Sequence, residues 1–340
     1  MSSDTHTAPT LEDADDASAA AFLERQIVAE HPNLPAHLRR SLAGLGVSIA
    51  KKNATQTRPE PEPPTTPAKI LQFPLPFGEE TRAVSNPLAR GSLFAAVKDR
   101  QHFKDYVLVY EEDGVKVEFC GEQLNQDDHD TLLQLVTMAL YKPFGADIVQ
   151  AVNAVLSGMG RTTHQEQRRQ LIEQISRLVR GTVRLTLPSM PRYEGHLLDD
   201  ASTPQDQATL PQYRRHLAYR LNPKFARFYD KAAYTLIDQQ QRRKIGKNPL
   251  AKWLHLWIVS NANQYPHKVD TLREKCGSQT KDLKKFRQNL RAALDQLKAT
   301  EIITTWHIDP KSDLVTIERM PSPTQIRHIT KKASRKPRKA

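Results

Sequence analysis

The stretch Lys281-Asp282-Leu283-Lys284-Lys285-Phe286-Arg287-Gln288-Asn289-Leu290-Arg291-Ala292-Ala293-Leu294-Asp295-Gln296-Leu297-Lys298 decides how this chain is read. Leu283, Phe286, Leu290, Leu294 and Leu297 recur at steps of three and four, which puts them on one face of an α-helix. Lys281, Lys284, Lys285 and Gln288 fall on the opposite side, with Arg291 on a flank. Asp282 and Asp295 are the only acids, too few for a solvent face laced with ion pairs. One side packs and the other is basic.

Before this helix, residues 268–276 predict a short helix closed by Gly277, a residue suited to a helix C-terminus. Before it, Asn248-Pro249 is a good helix start, since proline at the first helical position gives up no needed donor. Leu250, Trp253, Leu254, Trp257 and Ile258 then form a broad apolar stripe. After the basic helix, residues 303–308 and 314–318 predict a hairpin about the turn at 309–313. Two helices, a third helix and a two-stranded hairpin make the winged-helix order.

A similar order is readable upstream. Val107-Leu108-Val109-Tyr110 and the alternating Val115, Val117 and Phe119 predict a hairpin about Asp113-Gly114. A helix is expected over 126–141, with Asn125 as its cap and Asp127, Asp128 and Asp130 at its positive end. A second helix is expected over 146–156, broken by Gly158-Met159-Gly160. A third starts at Thr163, where Thr163-His164-Gln165-Glu166 matches a capping box. Alternation at Val183, Leu185 and Leu187, and again at Leu217, Tyr219 and Leu221, predicts the closing hairpin, with a loop at 199–211 between its strands. The expected fold class is α+β: two tandem winged-helix domains, 85–230 and 231–320. A disordered, proline-rich region 1–84 precedes them and a basic disordered tail 321–340 follows.

Composition narrows the function. The 340 residues carry a net charge of +12 and are 38% hydrophobic, and no run approaches the ~18 apolar residues of a membrane span. Residues 241–300 hold 14 basic residues against 4 acidic ones, and the last 21 hold seven basic residues and no acid. A polyanion is the natural partner of such a surface. The N-terminus lacks the basic start and apolar core of a secretory signal, so a cytoplasmic protein is expected. Two cysteines 156 positions apart supply neither a zinc site nor a disulfide framework. There is no P-loop, no His-Glu-x-x-His and no His-x-His. No catalytic residue, metal or cofactor is expected.

In helix–turn–helix proteins the N-terminal half of the second motif helix enters the major groove. Gln288 is the candidate for a base edge, because an amide pairs with adenine in a bidentate way. Lys281, Lys284, Lys285 and Arg291 are candidates for phosphates. In the first copy, Arg161, His164, Arg168 and Arg169 occupy the corresponding helix start. If both helices sat in successive grooves, about 34–36 Å apart, one chain would read an asymmetric site usable as a direct repeat.

The chain resembles the TrfA family of plasmid replication initiators. The likeness begins at Asn86-Pro87-Leu88-Ala89-Arg90-Gly91-Ser92-Leu93-Phe94. It continues at Cys120-Gly121-Glu122-Gln123-Leu124-Asn125-Gln126-Asp127-Asp128, and is clearest from Cys276-Gly277-Ser278 through the following helix and hairpin. The resemblance implies two winged-helix domains on directly repeated origin sites, or iterons, in double-stranded DNA. It also implies opening of an adjacent AT-rich duplex, with single-stranded origin DNA a further partner. The remaining implied partners are the host sliding clamp, replicative helicase and host initiator, with exchange between monomer and homodimer. Gln72-Phe73-Pro74-Leu75-Pro76-Phe77 fits a clamp-binding peptide: Leu75 and Phe77 enter an apolar groove and Gln72 bonds at its rim. A transcriptional repressor of the same fold is the competing function; it needs neither that peptide nor the long N-terminal region.

Overall fold

This computed structural model describes residues 80–319, apart from 141, 143–144, 188–189, 204–214 and 230–233, together with scattered residues between 20 and 43. The chain divides into two compact units, 1–69 and 70–340. In the first, the described residues are helical, and Arg40 lies 3.7 Å from Glu24.

The second unit opens with β1 (Thr81–Ser85), α1 (Asn86–Arg90), β2 (Phe94–Ala95), β3 (His102–Glu112), β4 (Val115–Glu122) and β5 (Leu124–Asn125). There follow α2 (Gln126–Met138), β6 (Asp147–Ala151), α3 (Val152–Gly158), α4 (Gln165–Arg180), β7 (Thr182–Leu187), β8 (Met190–His196), β9 (Leu198–Ser202) and β10 (His216–Leu221). A 3-10 helix (Pro223–Tyr229), β11 (Tyr234–Asp238) and α5 (Gln239–Lys244) lead to α6 (Pro249–Ser260), β12 (His267–Lys268), α7 (Val269–Lys275), α8 (Leu283–Ala299), β13 (Thr305–Ile308) and β14 (Leu314–Glu318).

Two three-stranded sheets repeat one plan. The first has the order β6-β10-β9 and the second β12-β14-β13. In both, a short strand before the middle helix pairs with the last strand of the hairpin. Helix, strand, helix, helix, hairpin therefore occurs twice, as α2-β6-α3-α4-β9-β10 and as α6-β12-α7-α8-β13-β14. In the first copy β7 and β8 are inserted after α4 and leave it to complete the four-stranded sheet β3-β4-β7-β8.

That insertion corrects the expected hairpin. Residues 183–187 and 217–221 do not pair: β7 lies between β4 and β8, and β10 between β6 and β9. The partners come from 190–196 and 198–202, whose polar residues belong to exposed sheet faces. The helix expected over 146–156 is a strand followed by a shorter helix. Ile148 is buried while Val149 is 56% exposed, the alternation of a strand, and the chain becomes helical only from Val152. Thr163 is not a cap; His164 holds that position and makes no side-chain capping bond.

Other local signals act as expected. Asn125 caps α2 in a reciprocal capping box with Asp128. Asn248 accepts bonds from the amides of Leu250 and Ala251 at the start of α6. Asp113 and Gly114 both take positive φ, 52° and 76°, which suits a two-residue hairpin turn.

One apolar core gathers around Phe94, Phe119, Leu135, Ile175 and Tyr219, and a second around Trp253, Trp257, Phe286, Leu290 and Leu294. A small cluster of Val84, Ala89, Leu133, Ile237 and Leu256 lies beside them. Polar contacts then fix α2 against α6. Lys252 Nζ lies 2.8 Å from Asp130 and 2.9 Å from Asp127, while Arg242 pairs with Asp130 and donates to Gln126 Oε1 at 2.9 Å. Asp127 is half-exposed, but Lys252 and Arg242 are buried and Asp130 nearly so, and a buried charge is costly once its partner is removed.

Candidate nucleic-acid interface

Helix α8 carries the basic face, and its neighbours aim it. Asp282 caps it, accepting a bond from the Lys284 amide at 2.8 Å. Phe286, Leu290, Ala293, Leu294 and Leu297 are buried along its inner side. On one flank, Arg287 Nε and Nη2 meet Asp313 Oδ1 and Oδ2 at 2.8 and 2.9 Å, tying the helix to the tip of the β13–β14 hairpin. The indole N–H of Trp306 on β13 donates to Asp295 at 3.1 Å near the helix's other end.

The turn that leads into α8 is held by the segment that precedes α2. Gln279 Nε2 donates to Gln123 Oε1 at 2.9 Å and to the Asp99 carbonyl at 3.1 Å. Gly277 has φ +64°, and a Cβ added there would lie 2.9 Å from Ser92 Cβ and 3.0 Å from Ala95 Cβ. Glycine meets both requirements, the left-handed backbone and the close approach.

The helix starts at Leu283, two residues later than expected, so Lys281 is exposed just before it while Lys284, Lys285, Gln288 and Arg291 are exposed on its outer side. Lys285 Nζ reaches Gln288 Oε1 at 3.3 Å, so a cation and an amide stand side by side at the helix's N-terminal half. Asn289, which the sequence did not single out, is exposed beside them. The structure brings the five expected residues of this copy onto one surface.

The α4 surface differs. Arg169 is held by two acids of its own helix, Glu166 at 2.8 Å and Glu173 at 2.5 Å. Its guanidinium holds the Glu166 carboxyl below the ordinary carboxylate range. This outer face is therefore ion-paired, with two acids to one cation. Arg161 Nη1 donates to Gln174 Oε1 at 2.9 Å, Arg168 is half-buried, and His164 is exposed. The i−3 and i+4 spacing of Glu166 and Glu173 from Arg169 was the sequence signal for this pairing. Gln72, Leu75 and Phe77, like residues 320–340, lie outside the described residues.

Among the described residues, no group of three or more His, Cys, Asp or Glu could hold a metal ion, and no helix is long and apolar enough to cross a membrane. Two buried histidines flank the α2–α6 contact. Burial, with the Arg242 charge added, pushes His129 and His255 down to about 3. Both rings are neutral and neither Nδ1 has a protein partner. His129 stacks on Phe94 with ring centroids 4.1 Å apart. These are packing residues.

Comparison with known proteins gives one family and one fold. The family model "TrfA protein" matches residues 69–319. The plasmid replication initiator protein TrfA of Escherichia coli is 23% identical over 248 residues, 72% of this chain. The match spans 63% of that relative, less than two thirds of its length. Among solved structures, domains 2 and 3 of RctB superpose with a TM-score of 0.51 at 14% identity, over 69% of this chain and 98% of theirs.

Proposed function

The chain belongs to the TrfA protein family, and from that premise we propose that it is a plasmid replication initiator binding directly repeated origin sites in double-stranded DNA. The observation that carries the reading is the outer face of α8. Three cations and an amide stand exposed there with Lys281 just before them, and the wing tip is fixed beside them through Arg287 and Asp313. A helix so presented fits the major groove, and a hairpin at its flank fits the adjoining backbone.

The repeated order of helix, strand, helix, helix and hairpin supports two tandem winged-helix domains, 85–230 and 231–320. Their shares are unequal. Through α8 the second domain reads bases, with Gln288 at a base edge and Lys281, Lys284, Lys285 and Arg291 on phosphates. In the first domain Arg161, His164 and Arg168 contact the backbone, while Arg169 stays with its two acids. One chain then covers an asymmetric site, which suits tandem repeats better than a palindrome.

Beyond binding, the reading includes opening of an AT-rich duplex, engagement of single-stranded origin DNA, and recruitment of the host clamp, helicase and initiator. The peptide with Gln72, Leu75 and Phe77 is the clamp contact, and exchange between monomer and homodimer sets the active form. No cofactor or catalytic side chain is needed, and the work is done in the cytoplasm.

The test is selection of bound sequences by the full chain from duplexes carrying a randomised segment. A single asymmetric consensus, preferred over unrelated DNA by about 10³-fold or more at physiological salt, is expected. The same sequence should occur as tandem copies beside an AT-rich stretch on the plasmid. Equal binding to all duplexes would overturn the reading. A two-fold symmetric consensus at a promoter would favour a repressor instead.

A further inference from the structure

Between α4 and α8 the second unit is hollowed. Three adjoining cavities of about 330, 740 and 550 Å³ lie there, and Lys98 and Lys247 line all three. Neither lysine belongs to a helix or strand: Lys98 follows β2, and Lys247 sits in the turn between α5 and α6. Both side chains are exposed.

The two segments that carry them are held to α8. Ala96 donates its amide to the Cys276 carbonyl at 2.8 Å, and the Asp99 carbonyl accepts from Gln279. On the other side, Gln296 of α8 donates to the Ile245 carbonyl at 2.6 Å and accepts from Asn248 Nδ2 at 2.9 Å. Lys98 and Lys247 therefore stand on backbone fixed relative to the basic helix.

The walls come from the two helices themselves. Asn289 and Ala292 of α8 border one cavity, and Gln167 and Gln170 of α4 another, with Arg161 and Arg243 alongside. Asn289 is next to Gln288, so the hollow begins where the basic face of α8 ends. On the opposite flank of that face stands the wing tip, held by Arg287.

The charge of the hollow is positive after internal pairing. Asp127 and Asp130 are taken by Lys252 and Arg242, and Glu173 by Arg169. Arg161 binds a neutral amide, and Arg243 donates to the Gly158 carbonyl while lying 3.4 Å from Glu80. Asp99 is an exposed acid at one mouth. Exposed cations along a saddle between two helices suit an extended polyanion better than a small enclosed anion.

We infer that this saddle takes the sugar–phosphate backbone of the duplex as it passes from the groove under α4 to the groove under α8. Lys98 and Lys247 each meet a phosphate there. The inference rests on the proposed function and adds a third, central contact to the two helices. Lysines supply point charges without base recognition, so the contact strengthens binding without selecting sequence.

The experiment uses the full chain, the duplex recovered by selection from the randomised pool, and the double variant Lys98→Ala/Lys247→Ala. Both positions are exposed, so the thermal unfolding midpoint should match that of the wild type. Ethylation of phosphates midway between the two protected groove segments should hinder the wild type and no longer hinder the variant. Interference at the flanks should remain. The slope of log K against log salt should become shallower by about two units, about 0.9 per phosphate engaged, with the preference over unrelated DNA unchanged. An unchanged slope and unchanged central interference, with wild-type binding intact, overturn this inference alone. A wild type that selects no duplex overturns the proposed function and this inference together.

Discussion

Arg287 and Asp313 face each other through two parallel contacts of 2.8 and 2.9 Å, joining the basic helix α8 to the turn of the last hairpin. Asp313 holds a left-handed backbone, φ 57°, at that turn. The pair is about one-quarter exposed on each side. Bidentate geometry makes it stronger than a usual surface pair, which contributes about 0–1 kcal/mol.

A double-mutant cycle isolates this link. Asp313→Asn keeps a residue that tolerates positive φ and removes the charge; Arg287→Met keeps the aliphatic stem. The expected coupling is about 0.5–1 kcal/mol in urea unfolding. DNA affinity should fall in both single variants, because the wing is no longer held beside the helix. Coupling near zero would show that the helix and hairpin are positioned by the apolar core and the Trp306–Asp295 bond instead.

The corresponding helices α4 and α8 should respond differently to removal of charge. Replacing Lys284 and Lys285 by Ala should lower the salt slope by up to about one unit for each phosphate no longer neutralised. Arg169→Ala should leave the slope nearly unchanged, since that guanidinium is already shared between Glu166 and Glu173. Glu166→Gln with Glu173→Gln frees Arg169 and should raise affinity for any duplex. Gln288→Ala should instead reduce discrimination at one base pair, by about 1–3 kcal/mol. Salt titrations and competition with unrelated DNA separate these outcomes.

Much of the second repeat was readable because its signals are local. The three-and-four spacing from Leu283 to Leu297 needs no partner to be seen, nor does the cap at Asn248 or the glycine at 277; in the first repeat the cap at Asn125 is equally local. The first repeat was less legible. Ile148 and Val152 fit a helical period, but Ile148 is drawn into a strand by pairing with Tyr219, 71 positions later. The polar stretch after residue 187 gave no strand signal, and 199–202 fell inside the loop expected over 199–211, because the strands there are exposed on one side. The cations of the central saddle were invisible for a related reason. Lys98 and Lys247 are ordinary lysines in sequence, and only the packing of two distant turns around α8 makes them neighbours.

Leu290 has no exposed surface on the inner side of α8. Leu290→Ala removes its packing against the second core and should cost about 2–5 kcal/mol. Urea unfolding followed at the tryptophans checks it, since Trp253 and Trp257 share that core. A destabilisation below ~1 kcal/mol would mean that the helix is not anchored through this face.

Acid should loosen the α2–α6 contact, and the sign follows from the two histidines. His129 and His255 are held down to about 3 from 6.5 by burial and by Arg242. Below about pH 6.5 the unfolded chain takes up protons that the folded chain refuses, so stability falls as pH falls. Each ring contributes a slope of up to about 1.4 kcal/mol per pH unit down to about pH 3, and nothing above pH 7. Asp130 acts in the same direction at lower pH. Burial alone would raise its pKa, but Arg242 and Lys252 outweigh burial and depress it, so its share is lost as pH falls below about 4. Urea midpoints measured from pH 7.5 to pH 5 should decline, and His255→Leu should make the decline shallower. A flat profile over that range would mean that both rings take up protons in the folded chain, and would overturn their assignment as buried, neutral packing residues.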